Sequence, residues 1–378
     1  MRPASPPMRV AVIGAGIFGV ATALHLARGG ARVALVTETR PASGASGRSL
    51  SWLNSARRRS LAYHQLRMAG IDRYRTLAAR YPSAPWLRFD GGLTWDADDA
   101  GNEIAAVLAH EHQLGYDARL LAPEQVAAVT PGVDARAITP QGAIFNPGEG
   151  WVDLPSLIAL LLEEYAALGG ELITEAGKVA VELVQGRPVG VRTADGTRIT
   201  ADAVLAATGP AVPRLAAEVG YVIPDATPIS LLLRTKPVAT GLRAVLNTPR
   251  VAVRPDPWGG LALDAAWSEE EVGVRPDGSF AVRESTVAGL LREASAVIAG
   301  NPELELADYG VGPKPIPADG EPVLGALPGI PGYHVAFSHS GATLGLIVGE
   351  LLAGEILSGE PHPLLAAFRP GRWQPSAG

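Results

Sequence analysis

The stretch MRVAVIGAGIFGVATALHLARGGARVALV, residues 8–36, decides the architecture. Met8 to Ile13 is an almost unbroken apolar run, as expected of a strand covered on both faces of a parallel sheet. It stops at Gly14. From Ile17 to Arg28 the apolar residues fall at helical spacing, Gly29-Gly30 ends the helix, and Ala31 to Val36 is a second apolar strand. That is a βαβ unit. Its turn, Gly14-Ala15-Gly16-Ile17-Phe18-Gly19, is G-x-G-x-x-G between a buried strand and a helix start. The first glycine allows the tight turn, the second lets backbone approach a pyrophosphate, and the third lets helix pack on strand. Orphan N–H groups and the helix dipole then face the phosphates, the dipole contributing roughly 0.3 to 1 kcal/mol. A purely structural glycine turn is the competing reading. The flanking strand and helix, with Glu38 beyond, favour dinucleotide binding.

This turn alone does not choose NAD over FAD, since both present adenosine diphosphate to it. Two further segments bear on the choice. Residues 41–49, PASGASGRS, follow the second strand with small side chains that would let the chain pass close to a long, extended cofactor. A plain loop would read the same way. His339-Ser340-Gly341-Ala342-Thr343-Leu344-Gly345 sits between a strand at His334 to Phe337 and a final helix. A helix N-terminus aimed into a site stabilises charge that develops there, and a flavin gains negative charge at N1 and the C2 carbonyl on reduction. The same stretch lacks both glycines of a hydrolase elbow.

The rest of the chain reads as two domains. The sequence is helical and Arg-rich up to Arg80, with Arg57-Arg58-Arg59 read as a solvated helix end. Turn-rich sequence follows to Pro147, then an amphipathic helix at Leu154 to Leu168. Short strands are expected at Glu171 to Ile173, Lys178 to Leu183, Pro188 to Thr193 and Ile199 to Ala207. Pro224 to Ala281 is Pro-punctuated and strand-like, a helix follows at Val287 to Ala299, and Pro313 to Pro322 leads to the last strand and helix. Ala342 to Leu357 carries Glu350 and Glu355 and is shorter than the roughly 20 residues of a spanning helix, so a buried helix is expected.

Composition narrows the chemistry. The 378 residues are 47% hydrophobic and 19% charged, which excludes a disordered or fibrous chain. With no cysteine there is no disulfide, thiolate metal site, iron–sulfur cluster, cysteine nucleophile or sulfur-tethered cofactor. A net charge of -6 does not recruit nucleic acid or an anionic membrane. Met1 to Pro7 leaves no room for a signal peptide, so a cytoplasmic location is expected. His110 and His112 point in different directions on a helix, and no metal site is expected.

These segments, in this order, resemble the family of FAD-dependent amine oxidoreductases that includes D-amino acid oxidase, glycine oxidase and sarcosine oxidase. The likeness spans nearly the whole chain. It rests on the opening fingerprint, Gly44-Ala45-Ser46-Gly47-Arg48, Gly150-Trp151-Val152-Asp153-Leu154-Pro155, Ala206-Ala207-Thr208-Gly209-Pro210, and residues 315–325 leading to His339-Ser340-Gly341. The resemblance implies an α/β fold: a discontinuous Rossmann-type FAD-binding domain with an inserted α+β, largely antiparallel-sheet substrate domain. The expected boundaries are 8–80, 147–222 and 311–370 for the first, 81–146 and 223–310 for the second, and tails at 1–7 and 371–378.

By the same carry-over, FAD contacts fall on Gly14 to Gly19, on Glu38 with Thr39 and Arg40, and on Ser43, Ser46, Gly47, Arg48 and Ser49. Val179 would hold the adenine through its backbone, Thr208-Gly209 would approach the phosphates and ribityl chain, and Gly341, Ala342, Thr343 and Leu344 complete the set. The family's acidic ribose ligand aligns with Thr37, one step before Glu38. FAD is expected without a cysteinyl link and held non-covalently, a histidine tether staying open.

Lys314 stands where many amino acid-oxidising relatives carry a carboxylate-clamping arginine. Lysine occurs only at Lys178, Lys236 and Lys314, so it reads either as a functional choice or as a tolerated loop cation. It offers a point charge without the planar fork. His64 and His339 are the histidines expected near flavin, as structural hydrogen-bonding groups or as proton-transfer groups. Arg254 and Trp267 would line the substrate pocket, although core packing explains them equally; Trp258 reads the same way, and Glu269-Glu270-Glu271 reads as a solvated loop.

The implied reaction is hydride removal from the carbon beside a primary or secondary amine or amino acid, giving an imine that water hydrolyses. Oxygen as acceptor would give peroxide. An FAD enzyme acting on a hydroxy acid or biosynthetic intermediate is the second expectation, and a flavin-binding module without turnover the third.

Overall fold

The structure, a computed structural model, describes residues 6–373. The chain forms two compact units. One comprises the chain up to Gly47, Leu154–Pro228 and the chain from Pro313; the other comprises Arg48–Asp153 and Ile229–Gly312. Each has its own apolar core.

The first unit is an α/β layer built on a six-stranded sheet in the order Val323–Ala326, Tyr333–Phe337, Ala203–Ala206, Arg9–Ile13, Arg32–Val36, Glu171–Ile173. All neighbours are parallel except the edge strand Val323–Ala326. Beyond Arg9 the central strand is wholly buried, which explains its lack of polar alternation. The expected strand Ile199 to Ala207 is two. Arg198–Thr200 joins Ala180–Val184 and Arg187–Arg192 in a separate antiparallel sheet, and Ala203–Ala206 enters the parallel one. Asp202 marks the break, accepting from Arg9 N at 2.8 Å and Arg9 Nη2 at 2.7 Å.

The helix Ile17–Arg28 packs on the last helix, Gly341–Ser358, through glycine. A Cβ at Gly345 would stand 2.3 Å from Ile17 Cγ1, and one at Gly349 2.5 Å from Ala21 Cβ. Only glycine permits that approach. The last helix, Gly341–Ser358, passes for a membrane span by length and composition, but most of it is buried within the protein, as expected from sequence. Glu355 on it is buried and takes a two-pronged salt bridge from Arg369, at 2.8 and 2.5 Å.

The second unit is α+β. Its eight-stranded sheet runs Leu306–Pro313, Ile229–Thr235, Leu261–Asp264, Ala252–Pro255, Val245–Asn247, Gly92–Thr94, Ala143–Asn146, Arg119–Leu121. Val245–Asn247 and Gly92–Thr94 pair in parallel. Strand periodicity divides its side chains between two faces. Leu93, Leu231, Leu233, Leu246, Val253 and Leu263 meet Leu290 and Ala294 of the helix Glu284–Val297. Leu232, Val245 and Ala262 meet Leu50 and Trp151 on the other side.

The unit boundaries differ from those expected from sequence. Residues 48–80 and 147–153 belong to the second unit because Gly150–Val152 pairs with both Trp52–Leu53 and Leu87–Arg88. Residues 223–228 belong to the first, where Asp225 bridges to Pro317, and 311–312 to the second. Residues 371–373 are not a tail: Arg372 bonds Asp319 at 2.7 and 2.9 Å. Of the two expected tails, 1–5 and 374–378 lie outside the described residues. Glu269 and Glu270 are on a short helix, Ala266–Glu270, and Glu271 accepts from Thr286 at 2.5 Å, which corrects the expected solvated loop.

Candidate functional site

In the first unit the glycine turn is built by exclusion of side chains. Gly14 has φ +103°, and a Cβ there would stand 2.5 Å from the Ala207 carbonyl oxygen and 3.1 Å from Thr208 Cα. A Cβ at Gly19 would strike the Gly14 carbonyl, which holds the helix against the strand. Gly14 N donates to Val36 O at 2.7 Å and Ala42 N to Ala15 O at 3.0 Å, so strand end, turn and following loop form one piece. The N-cap, Gly16, has no side chain to close the helix, and the Ile17 N–H is taken by Ser46 Oγ at 3.1 Å. By helix geometry the next N–H groups, of Phe18 and Gly19, have no partner within the helix.

The N-terminus of the last helix lies beside this turn. A Cβ at Gly341 would be 3.6 Å from Ile17 Cγ2 and 3.9 Å from Phe18 Cε2. Two positive helix ends therefore converge, each equivalent to about half a charge. Ala342, Thr343 and Leu344 are buried on that helix, while His339 just before it is exposed. Thr208 follows the strand Ala203–Ala206, its hydroxyl buried without a hydrogen-bond partner among the described residues, and Gly209 has φ +57°. That orphan hydroxyl, the side-chain-free turn and the two helix ends fit a bound dinucleotide.

The remaining first-unit residues surround this frame. Thr37 is buried and its N donates to Ile173 O at 2.8 Å; Glu38, Thr39 and Arg40 beyond it are exposed. Thr39 and Ser43 hydroxyls pair at 2.8 Å, and a Cβ at Gly47 would stand 2.3 Å from Ala42 O. Val179 is buried beside the strand Ala180–Val184. Lys314 is half-buried, its N donating to Pro228 O at 2.9 Å.

Arg48, Ser49, His64, Arg254 and Trp267 belong to the second unit. Arg48 packs on Gly310 and Gly312, where Cβ atoms would come within 2.6 Å of its Cγ and 2.5 Å of its Nη2, and burial lowers its pKa. Ser49 Oγ accepts from Ser51 N at 3.0 Å. Arg254 is 1% exposed and committed to structure: Nε donates to Leu50 O at 2.5 Å, Nη1 to Pro255 O at 2.7 Å, and the guanidinium lies 5.0 Å from the Trp151 ring centroid. Burial pushes it down to about 10 despite Asp153, 3.8 Å away.

Trp267 does not join Arg254. It packs on the helix-covered face, over Gly289, and donates to Arg250 O at 2.8 Å, whereas Arg254 follows Val253 and so faces the other side of the sheet. The two thus lie on different elements, Arg254 on the strand Ala252–Pro255 and Trp267 on the short helix Ala266–Glu270, and pack against different neighbours. Trp258 is 74% exposed in a turn.

His64 opens onto a buried polar network that sequence reading missed. Its Nδ1 lies 2.9 Å from Ser55 Oγ and its ring meets Tyr116 edge-on at 5.4 Å. Burial, then Arg67 and His110, lower its pKa. Tyr116 OH donates to Glu149 Oε1 at 2.5 Å, and Ser55 N donates to the same oxygen at 3.3 Å. Glu149 has no exposed surface; burial pushes it up to about 8. Gly92 makes room for it, since a Cβ there would be 2.2 Å from Glu149 Oε2. Glu111 is buried nearby, held by Arg57 N at 2.7 Å and Asn146 at 2.9 Å, and burial raises its pKa. The available sequence signal was a carboxylate between two glycines, Gly148-Glu149-Gly150.

Residues 9–355 match the family described as FAD dependent oxidoreductase. The chain belongs to that family. A glycine oxidase of Pseudomonas aeruginosa is 28% identical over 382 residues, covering 96% of this chain and 99% of the relative. An uncharacterized oxidoreductase of Bacillus subtilis, YurR, is 24% identical over 381 residues, covering 95% and 97%. Among solved structures, glycine oxidase from Geobacillus kaustophilus superposes with a TM-score of 0.79 at 22% identity, covering 97% of this chain and 99% of that one. L-amino acid deaminase from Proteus myxofaciens gives 0.82 at 18% identity, covering 99% and 95%. These neighbours share the fold. This FAD-dependent oxidoreductase therefore has α/β architecture with the second, mixed-sheet unit inserted in two pieces.

Proposed function

We propose that the protein oxidises the C–N bond of a primary or secondary amine or amino acid, yielding an imine that water hydrolyses to a carbonyl compound and an amine or ammonia. When bound, FAD supplies the two-electron acceptor for the hydride leaving carbon, and oxygen then takes both electrons to give hydrogen peroxide. The observation that carries the reading is the Gly14–Thr208 cradle with its two converging helix ends, in a chain aligned almost end to end with a glycine oxidase.

On this reading Gly14 to Gly19, Ser43, Ser46 and Gly47 receive the pyrophosphate, and Glu38, with Thr39 and Arg40 beside it, holds the adenosine ribose. Val179 holds the adenine, while Thr208 and Gly209 meet the phosphates and ribityl chain. Gly341 to Leu344 place a positive helix end toward charge that grows during reduction. Arg48 and Ser49 continue the cofactor-lining segment. With no cysteine in the chain, no cysteinyl tether forms, and we take attachment to be non-covalent.

Lys314 supplies a cation for a substrate anion. His339 and His64 act as hydrogen-bonding or proton-moving groups, and Arg254 supports the substrate-side sheet. The lowered pKa of His64 favours a neutral imidazole, a hydrogen-bonding group for the substrate amine, which must itself be neutral before hydride leaves the neighbouring carbon.

Anaerobic mixing of holoenzyme with a panel of amines and amino acids tests this: bleaching of the flavin absorbance is expected. No bleaching with any of them would defeat it. Lys314, in place of the family arginine, motivates a second arm with hydroxy acids; bleaching confined to that arm would replace the amine by an alcohol as the oxidised group.

A further inference from the structure

A short connection, residues 54–60, joins the strand Trp52–Leu53 to the helix Leu61–Arg80 that carries His64. Arg57-Arg58-Arg59, expected to be a solvated helix end, lies in this connection instead; Arg57 and Arg59 are half-buried and Arg58 is exposed. The connection is gripped from several elements of the second unit. Arg67 donates to Asn54 O at 2.8 Å and to Asn54 Oδ1 at 2.7 Å. Ser55 N is shared between the Tyr116 hydroxyl at 3.0 Å and Glu149 Oε1 at 3.3 Å. Arg57 N donates to Glu111 Oε1 at 2.7 Å, and His110 Nε2 lies 3.2 Å from Arg59 N and 3.0 Å from Arg59 O. Two buried carboxyl groups thus take alternate backbone N–H groups of one stretch of chain. Arg57 has φ +70°, a conformation that a non-glycine residue keeps where its surroundings over-determine it.

The group held in this way is the partner of His64. Ser55 Oγ lies 2.9 Å from His64 Nδ1, and the ring meets Tyr116 edge-on, with centroids 5.4 Å apart and planes at 81°. Both contacts lead to one acceptor, because Glu149 Oε1 takes the Tyr116 hydroxyl at 2.5 Å as well as Ser55 N. Glu149 is in turn fastened to the eight-stranded sheet: its N donates to Asn146 O at 3.2 Å, and its O accepts from Gly91 N at 3.0 Å. The rigidity of the sheet therefore reaches the imidazole through Glu149, Tyr116 and Ser55.

We infer that Glu149 is a positioning residue for His64: it fixes Ser55 and Tyr116 so that the ring is engaged through Nδ1 and presents Nε2 to the substrate amine. The last step rests on the proposed amine oxidation, whereas the orientation of the ring stands on contacts within the second unit. The link to His64 passes through the Ser55 amide, which relays no proton, so the carboxyl acts on orientation alone. Its neutral form suits that task. Burial pushes Glu149 up to about 8, with Glu111 adding to the shift and Arg67 opposing it; Arg59 is the other cation that feels it. It accepts two hydrogen bonds without placing a full charge near His64, whose pKa burial, Arg67 and His110 all lower.

The test compares FAD-loaded wild type, Glu149→Ala, Glu149→Gln, Tyr116→Phe and the surface control Arg58→Ala. The first measurement is the NMR titration of His64 in protein labelled at histidine, its signal identified by His64→Asn. Glu149→Ala and Tyr116→Phe should move the His64 midpoint up toward the usual histidine value, since a released ring gains water. Glu149→Gln keeps an acceptor for both donors and should titrate like wild type, as should Arg58→Ala. The second measurement is anaerobic flavin reduction by the best amine. Glu149→Ala should lower kcat roughly 10- to 100-fold with KM changed less than about threefold, and Glu149→Gln should recover most of that loss. An unmoved His64 midpoint in Glu149→Ala, or an equal shift in Glu149→Gln, would overturn the inference. So would a shifted midpoint with kcat intact, which would confine the network to stability. If Glu149→Ala does not fold, Tyr116→Phe decides by the same two readings. If no amine bleaches the flavin, the proposed reaction fails, and the titration alone then supports or rejects Glu149 as the group that orients His64.

Discussion

The Tyr116 hydroxyl donates to Glu149 Oε1 at 2.5 Å, and the carboxyl group it reaches has no exposed surface. Burial raises Glu149 to about 8, with Glu111 adding to the shift, and burial raises Glu111 as well. Between about pH 4.5 and 8 the folded chain therefore binds protons at this site that the unfolded chain has released, so stability falls as pH rises across that window. The acids lowered by hydrogen bonding, such as Asp134 and Asp202, act with the opposite sign below it. Urea unfolding at about pH 5 and about pH 8 should show wild type losing stability relative to Glu149→Gln, by on the order of 1 to 3 kcal/mol. A difference that stays constant with pH would rule out this account of Glu149.

Thr208→Val removes a buried hydroxyl that has no partner among the described residues. If that hydroxyl serves FAD, the variant should melt at or above wild type when stripped of cofactor, yet bind FAD roughly 3- to 10-fold more weakly. Fluorescence titration of FAD into stripped protein measures the second quantity. Equal affinity would remove Thr208 from the cofactor set.

Gly349→Ala places a methyl 2.5 Å from Ala21 Cβ and 2.7 Å from Ala21 backbone carbon. Backbone cannot yield as a flexible side chain can, so a destabilisation of about 1 to 3 kcal/mol is expected. Flavin content after purification should fall too, since the two helix ends at the glycine turn would be forced apart. Calorimetry and flavin absorbance read the two effects; an unchanged melting temperature would contradict the close packing.

Arg254→Met leaves the Leu50 carbonyl without its donor and Asp153 without its nearby cation. Removing one partner of a buried charge pair typically costs about 3 to 5 kcal/mol. Chemical denaturation should show a loss of that order, whereas Lys314→Met, at a half-buried position, should change substrate binding with little change in stability.

The strand, turn and helix at residues 8–36 were legible because all their determinants are local: an apolar run, a glycine spacing, a 3.6-residue period. Helix Leu154–Ala167 was legible for the same reason. Residues 48–80 were assigned to the wrong unit because what claims them, strand Gly150–Val152, lies some hundred positions away and leaves no local trace. Arg59 and Glu149 were hidden for a related reason. A run of three arginines and a glutamate flanked by glycines both resemble surface sequence; His110, 51 positions from Arg59, and Tyr116, 33 from Glu149, draw them inside. Trp267 and Arg254 were grouped as residues of one sheet, but Trp267 lies on the short helix Ala266–Glu270 beyond the strands.

The connectivity of the first unit also orders events during synthesis. The central strand Arg9–Ile13 is made before its neighbour Ala203–Ala206, which follows almost two hundred residues later, and Gly341–Ser358 comes later still. Until then the opening helix lacks its glycine-faced partner and the nucleotide turn lacks its second positive end. Completion of this half, and with it tight cofactor capture, therefore waits for a segment some three hundred residues downstream of the opening strand, which until then lacks part of its apolar cover.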